Sequence, residues 1–230
     1  MVVGKSCATW ITLGVAVIGL AQSAQAALLN LTQQAPDITS GLIKVNYTAA
    51  TATFTATGSS ASFDLDGIAP PDYQGANFTP GAFNLSMTVN TATGAPTGGT
   101  VSIGGKVTAL GATSGTLLTG NISAFGFQTG GGQLFEFLIN VTGGDLASYW
   151  NATGHPGGII LSAVPGTGAV PFTGSFTSDF RSTSGAIGAG VSDSFITPEP
   201  ASLAIAFIST GILGARLPTG RNRQRHRPRT

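Results

Sequence analysis

In Leu42-Ile-Lys-Val-Asn-Tyr-Thr48, apolar and polar side chains alternate, and Thr51-Ala-Thr-Phe-Thr-Ala-Thr57 repeats the alternation shortly afterwards. Successive side chains of a β-strand point to opposite faces of a sheet, so this period of two predicts strands with one buried and one solvated face. Seven further stretches are rich in β-branched and aromatic residues, which favour strands. They are Ser60–Leu65, Phe83–Asn90, Thr100–Leu110, Thr116–Phe127, Leu134–Thr142, Gly158–Val164 and Phe172–Phe180.

Glycine clusters separate several of these stretches. Thr97-Gly-Gly-Thr, Thr129-Gly-Gly-Gly-Gln and Pro156-Gly-Gly are predicted turns, because glycine adopts positive φ at little cost. No window of helical period stands out between them. Nine or so strands in one domain predict an all-β fold, a single β-sandwich of jelly-roll type. The alternative, a β-solenoid, would need a repeat of fixed period, which the sequence lacks.

The stretch Leu134-Phe-Glu-Phe-Leu-Ile-Asn-Val141 is apolar on both faces. It is therefore predicted to be a central strand that packs on both sides or is covered on one side by a loop. Glu136 would then be buried and would need a partner. Lys106 and Arg181 are the expected candidates, and a structural ion pair is a commoner role for such a residue than acid catalysis.

The part of the chain from Ala27 to Thr197, about 170 residues, has the length of one domain. It contains three basic and eight acidic residues, which gives a net charge of −5. The single cysteine of the chain, Cys7, precedes this domain. Disulfide bonds and thiolate chemistry are therefore excluded for residues 27–197.

Residues 1–26 have the features of a secretory signal peptide. Lys5 supplies a positive start, Trp10 to Ala21 is largely apolar, and Ala24-Gln-Ala26 is a small-x-small cleavage site. We expect signal peptidase to cleave after Ala26.

Residues 198–230 combine three elements in a fixed order. The motif Pro198-Glu199-Pro200-Ala201-Ser202 is followed by an apolar run from Leu203 to Leu213. An arginine-rich tail follows, with Arg216, Arg221, Arg223, Arg225, Arg227 and Arg229. The segment from Ala201 to Ala215 carries no charge. It reaches the lower limit for a membrane span, roughly 17 residues, only if Leu217 and Pro218, beyond Arg216, are also counted. The arginines should hold that end in the cytoplasm.

This order resembles the PEP-CTERM sorting signal of bacteria. The resemblance implies recognition and cleavage by exosortase, a membrane enzyme. It also implies export to the cell surface or beyond, with transient anchoring in the inner membrane by the C-terminal helix. The resemblance makes residues 27–197 the exported domain. Nucleic acid is excluded as a partner of the tail, because the arginines flank an apolar segment of an exported chain.

Motifs for catalysis are missing from the sequence of the domain. His155 is its only histidine, and it lies in a turn-like stretch. The sequence has no nucleophile elbow, no zinc-protease helix motif and no phosphate-binding glycine loop. We therefore expect no catalytic residues and no cofactor beyond the cation considered next.

Asp64-Leu-Asp66-Gly67, with Asp72 downstream, is similar to a fragment of a calcium loop. Alternate carboxylates before a glycine can direct several oxygens to one cation. The third ligand before the glycine and the later glutamate of an EF-hand are both missing. A strand end followed by a turn would use the same residues, so Ca²⁺ is an expectation beside that plainer alternative.

Tyr149 and Trp150, with His155 nearby, are the candidate sugar-binding residues. Aromatic faces offer a large contact area to a sugar ring. An aromatic pair near a strand end is more often part of the core, and this alternative stays open.

The sequence predicts an exported structural or adhesive protein of the surface or extracellular matrix, in contact with exopolysaccharide. A carbohydrate-binding module is the alternative, and a polysaccharide hydrolase comes third. A binding module needs exposed aromatic rings, whereas a glycosidase needs two carboxylates on either side of a cleft.

Overall fold

The prediction of an all-β protein is confirmed. The structure is a computed structural model that describes residues 27–128, 133–152, 156–182 and 190–196. Within these ranges the chain forms nine strands, three single-turn 3-10 helices and one short α-helix, α1 (Ala147–Asn151). The strands are β1 (Asp37–Thr48), β2 (Thr53–Asp64), β3 (Thr79–Val89), β4 (Pro96–Lys106), β5 (Thr116–Phe127), β6 (Leu134–Gly143), β7 (Gly157–Ser162), β8 (Phe180–Arg181) and β9 (Gly190–Ile196).

All strand pairs are antiparallel, and the sheet closes on itself. Strands β2 to β7 pair in chain order, β7 pairs with β9, β9 pairs with β1, and β1 pairs with β2. Eight strands therefore form a closed ring, and β8 extends the side of β1 that also carries β9. A jelly roll has Greek-key connections between two sheets. That predicted connectivity is not found, because most sequence neighbours here are neighbours in space.

Opposite walls of the ring pack against each other as the two sheets of a sandwich do. Phe54 of β2 lies 5.1 Å from Phe135 and 5.7 Å from Phe137, both on β6, between ring centroids. These side chains are fully buried. A closed sheet of about eight strands has an interior just wide enough for side chains to fill. The interior is thus a packed aromatic core.

The loop between β7 and β8 completes this core. Phe172 and Phe176 are buried, and their rings lie 5.2 Å from that of Phe127. The prediction of a strand over Phe172–Phe180 is wrong, since only Phe180 and Arg181 are in a strand. The physical reason is the spacing. Buried aromatic residues recur here every four positions, whereas a strand with one buried face repeats every two.

Glycines inside the strands mark close packing rather than turns. Thr51–Thr57 and Ser60–Leu65 were expected as two strands, but β2 runs continuously through Gly58. A Cβ at Gly58 would lie 2.5 Å from Cδ1 of Ile43 and 2.7 Å from the carbonyl oxygen of Gly41. The glycine therefore allows β1 to approach β2 closely.

The same explanation applies to two of the predicted turns. Thr97-Gly-Gly-Thr lies within β4, where a Cβ at Gly99 would lie 2.8 Å from the Cβ of Met87. Gly157 begins β7, and a Cβ there would lie 2.7 Å from Ile139. Both turn predictions are wrong. The third predicted turn, at 129–133, lies almost wholly outside the described residues.

The two predicted targeting segments, 1–26 and 198–230, lie outside the described residues, and so does His155. Among the residues that the structure describes, no helix combines the length and the apolar character needed to cross a bilayer.

Candidate functional site

The three aspartates of the candidate calcium site, Asp64, Asp66 and Asp72, lie close together in the structure. Asp64 is the last residue of β2, and Asp66 and Asp72 follow in the next loop. One carboxylate oxygen from each lies within 4.8 Å of the others. Asp64 is partly buried, and the other two side chains are exposed.

Backbone hydrogen bonds hold this acidic cluster in place. Asp64 Oδ1 accepts the N–H groups of Asp66 (3.2 Å) and Gly67 (2.9 Å). Asp72 Oδ2 accepts the N–H of Leu65 at 2.8 Å, which ties the two ends of the loop together.

These bonds suit the plainer alternative, a strand end with its turn. Hard cations such as Ca²⁺ take six to eight oxygen ligands. Three carboxylates could supply only part of that set, with backbone carbonyls and water for the remainder. Ca²⁺ binding therefore stays a prediction.

The candidate sugar-binding pair belongs largely to the core. Trp150 on α1 is 0% exposed and packs 6.3 Å from the ring of Phe63. Its indole has no open face, so the predicted stacking role of Trp150 is wrong, and the core alternative is correct for this residue. Tyr149 is partly buried and meets Phe63 edge-on at 6.0 Å. Burial follows from the position of α1, which packs against β5 and β6.

Glu136 is buried as expected, at 4% exposure, but its partners are backbone amides. Its Oε2 accepts the N–H of Asn30 at 2.8 Å, and its Oε1 accepts the N–H of Leu31 at 3.3 Å. Asn30 has a left-handed φ of 56°, which directs two successive N–H groups to one anion. The prediction of an ion pair with Lys106 or Arg181 is wrong. Arg181 Nε donates instead to the carbonyl of Gly168, at 3.0 Å.

Residues 27–31 form what we call the N-terminal strap, which covers the outer face of β5 and β6 near Glu136. Gly126 pairs with Glu136 across these strands. A Cβ at Gly126 would lie 2.6 Å from the carbonyl oxygen of Ala27 and 2.8 Å from the amide nitrogen of Leu29. The strap therefore requires a glycine beneath it. A glycine within an apolar strand was the available sequence signal for this close approach.

Tyr47 has a clear electrostatic perturbation. Its hydroxyl is buried and donates to the carbonyl of Phe176 at 2.9 Å, which ties the core-filling loop to β1. Burial, and secondarily the negative charge of Asp179, raises the pKa of Tyr47 above its usual value. The hydroxyl thus stays protonated and serves packing.

The outer wall of the ring carries an uncharged surface that no motif in the sequence predicted. Two rows of polar side chains cross β2, β3, β4 and β5 in register, and each row has one residue from each strand. The first row is Thr55, Ser86, Thr100 and Asn121, and the second is Thr57, Asn84, Ser102 and Thr119. All eight side chains are exposed or partly exposed. We call these eight residues the hydroxyl-amide face.

The signal for this face was the repeated Thr, Ser or Asn at every second position of the strands. Each of these positions is polar because its neighbours on either side point into the core.

No family model, curated protein or solved structure matches this chain.

Proposed function

We propose that this protein is an exosortase-sorted, exported protein of the cell surface or extracellular matrix, with a structural or adhesive role in contact with exopolysaccharide. The observation that carries the proposal is the order of Pro198-Glu199-Pro200, apolar run and arginine tail. Exosortase and signal peptidase would be its processing partners. The inner membrane would hold the chain by its C-terminal helix until cleavage.

The described domain supports a structural role more readily than a catalytic one. Its interior is filled by aromatic side chains, and the buried carboxylate of Glu136 holds the N-terminal strap. The acidic cluster fixes a loop through backbone hydrogen bonds. We accordingly propose that the protein is not an enzyme.

A carbohydrate-binding module is the second candidate, and the exposed hydroxyl-amide face on β2 to β5 favours it. Such modules usually bind sugars on an open aromatic platform, and the buried Trp150 cannot contribute to one. A hydrolase is the third, and it would need a carboxylate pair roughly 5 to 9.5 Å apart that is free to act on a substrate. Asp64 and Asp72 both accept backbone N–H groups, which limits that freedom.

Intact mass spectrometry of the protein from cells tests the sorting proposal. The mature chain should lack residues 1–26 and the arginine tail in a host that has exosortase. In an exosortase-deficient strain of the same host, the tail should be retained while the signal peptide is still removed. A chain that ends at Thr230 in both strains would contradict the proposal.

A further inference from the structure

We propose that the hydroxyl-amide face binds an uncharged, hydroxyl-rich polysaccharide. This inference rests on the proposed function and deepens it, because it names the surface and the chemical class of the polymer. Neighbouring strands lie about 4.8 Å apart, and residues two positions apart on a strand lie about 6.8 Å apart. The face thus presents hydrogen-bonding groups on a regular grid, at intervals close to the size of one pyranose ring.

The groups on this face are available to a ligand. Of the eight side chains, two have a partner within the described residues. Thr55 Oγ1 donates to the carbonyl of Asn46 at 3.3 Å, and the Thr119 and Thr142 hydroxyls lie 3.2 Å apart. The other six make no side-chain hydrogen bond to the described part of the protein. Since hydroxyls and amides both donate and accept, they match the mixed donors and acceptors of a sugar.

Charge selects the class of polymer. None of the eight residues is charged, and the domain from Ala27 to Thr197 has a net charge of −5. An acidic polysaccharide would be repelled by this domain, whereas a neutral one would not. The N-terminal strap covers part of the outer wall at β5 and β6, beside Gly126 and Glu136. The hydroxyl-amide face on β2 to β5 is therefore an uncharged part of this wall that the strap leaves open.

Each contact on such a face is weak, because the sugar and the protein exchange hydrogen bonds with water for hydrogen bonds with each other. Useful retention would come from several contacts along one polymer chain, and from several copies of the protein on it. The expected behaviour is weak binding that depends on polymer length and does not depend on salt.

The test uses the mature full-length protein and affinity electrophoresis in gels that contain hydroxyethyl cellulose, a neutral polymer, or alginate, an acidic one. The test variant carries Thr55→Val, Thr57→Val and Thr100→Val, which remove hydroxyls while keeping the branched shape. The matched control carries three Thr→Val changes at exposed positions elsewhere, at Thr91, Thr108 and Thr173. Thermal unfolding of both variants verifies that each is folded.

We expect retention by the neutral polymer at low and high salt, about tenfold weaker in the test variant and unchanged in the control. Binding by the wild type that both variants retain equally would overturn the assignment of the face and leave the proposed function intact. Binding of neither polymer would count against the polysaccharide contact itself. Salt-sensitive binding of alginate alone would overturn the inference of a neutral ligand. Self-association that only the test variant loses would make the face an interface between copies.

Discussion

Replacing Glu136 tests how the N-terminal strap is held. Two backbone N–H groups donate to this one buried carboxylate, at 2.8 and 3.3 Å. A hydrogen bond to a charged group contributes roughly 1.5–3 kcal/mol, so the two together have an upper limit of roughly 3–6 kcal/mol. Asn30 is exposed and Leu31 is partly buried, so water would replace part of the loss. We expect Glu136→Ala to lower the free energy of unfolding by about 2 kcal/mol.

Glu136→Gln should cost less, about 1 kcal/mol, because the amide keeps one acceptor oxygen in the same place. The measurement is urea unfolding, with the slope compared to verify that the unfolding reaction is unchanged. Hydrogen exchange of the Asn30 and Leu31 amides reports the strap directly, since both should lose protection. Gly126→Ala should accelerate hydrogen exchange of the same two amides, because the added Cβ would displace the strap backbone.

The matched control is Asp145→Asn. Its carboxylate also accepts a backbone N–H, that of Ser114 at 2.7 Å, but in an exposed setting. We expect its cost to stay below about 1 kcal/mol, since an exposed amide can turn to water. The reasoning about Glu136 would be refuted if Glu136→Ala matched this control in stability and left the exchange of both strap amides unchanged.

Three further changes test the remaining features. Tyr47 should stabilise the fold fully below its unfolded pKa of about 10 and lose that contribution as pH rises through its higher folded pKa. Urea midpoints that fall above about pH 10 in the wild type, and less steeply in Tyr47→Phe, would agree; equal slopes would not. Trp150→Ala should cost about 3–5 kcal/mol in urea unfolding because the indole is fully buried, and it should leave polysaccharide retention unchanged in the folded fraction. Retention lost without a loss of stability would restore Trp150 as a contact. If the acidic cluster binds Ca²⁺, the cation should add about 2.7 kcal/mol of stability at a hundredfold excess over its dissociation constant, and Asp66→Asn should reduce this. A melting temperature indifferent to both Ca²⁺ and chelator would contradict that prediction.

The local alternation of polar and apolar residues predicted most strands of the fold. Thr116–Phe127 has the same bounds in the sequence prediction and in the structure, because its composition and period agree with its environment. The convergence of Asp64, Asp66 and Asp72 was also predicted, since all three are close in sequence, at the end of β2 and in the loop that follows it. Local sequence is enough to predict a feature when the residues that form it are close together in the chain.

Features that depend on distant partners were missed. The pairing of β1 with β9 joins parts of the chain about 150 residues apart, and β9 itself was not predicted. The partners of Glu136 are main-chain amides, which every residue but proline has, so side-chain chemistry could not identify them. Gly99 suggested a turn, and Gly58 lay between two predicted strands, because a glycine needed for close packing looks the same in the sequence as one needed for positive φ.

Closure of the ring has a consequence for aggregation. Each of its eight strands uses its main-chain donors and acceptors on a neighbouring strand at either side. A sheet that ends in an unpaired strand can recruit the same strand of another molecule and grow into a fibre. This domain offers no such starting point in its ring, so copies can reach high local concentration as separate particles. Cohesion between copies through the walls of the ring must then be made by side chains, which individual substitutions can adjust without endangering the fold.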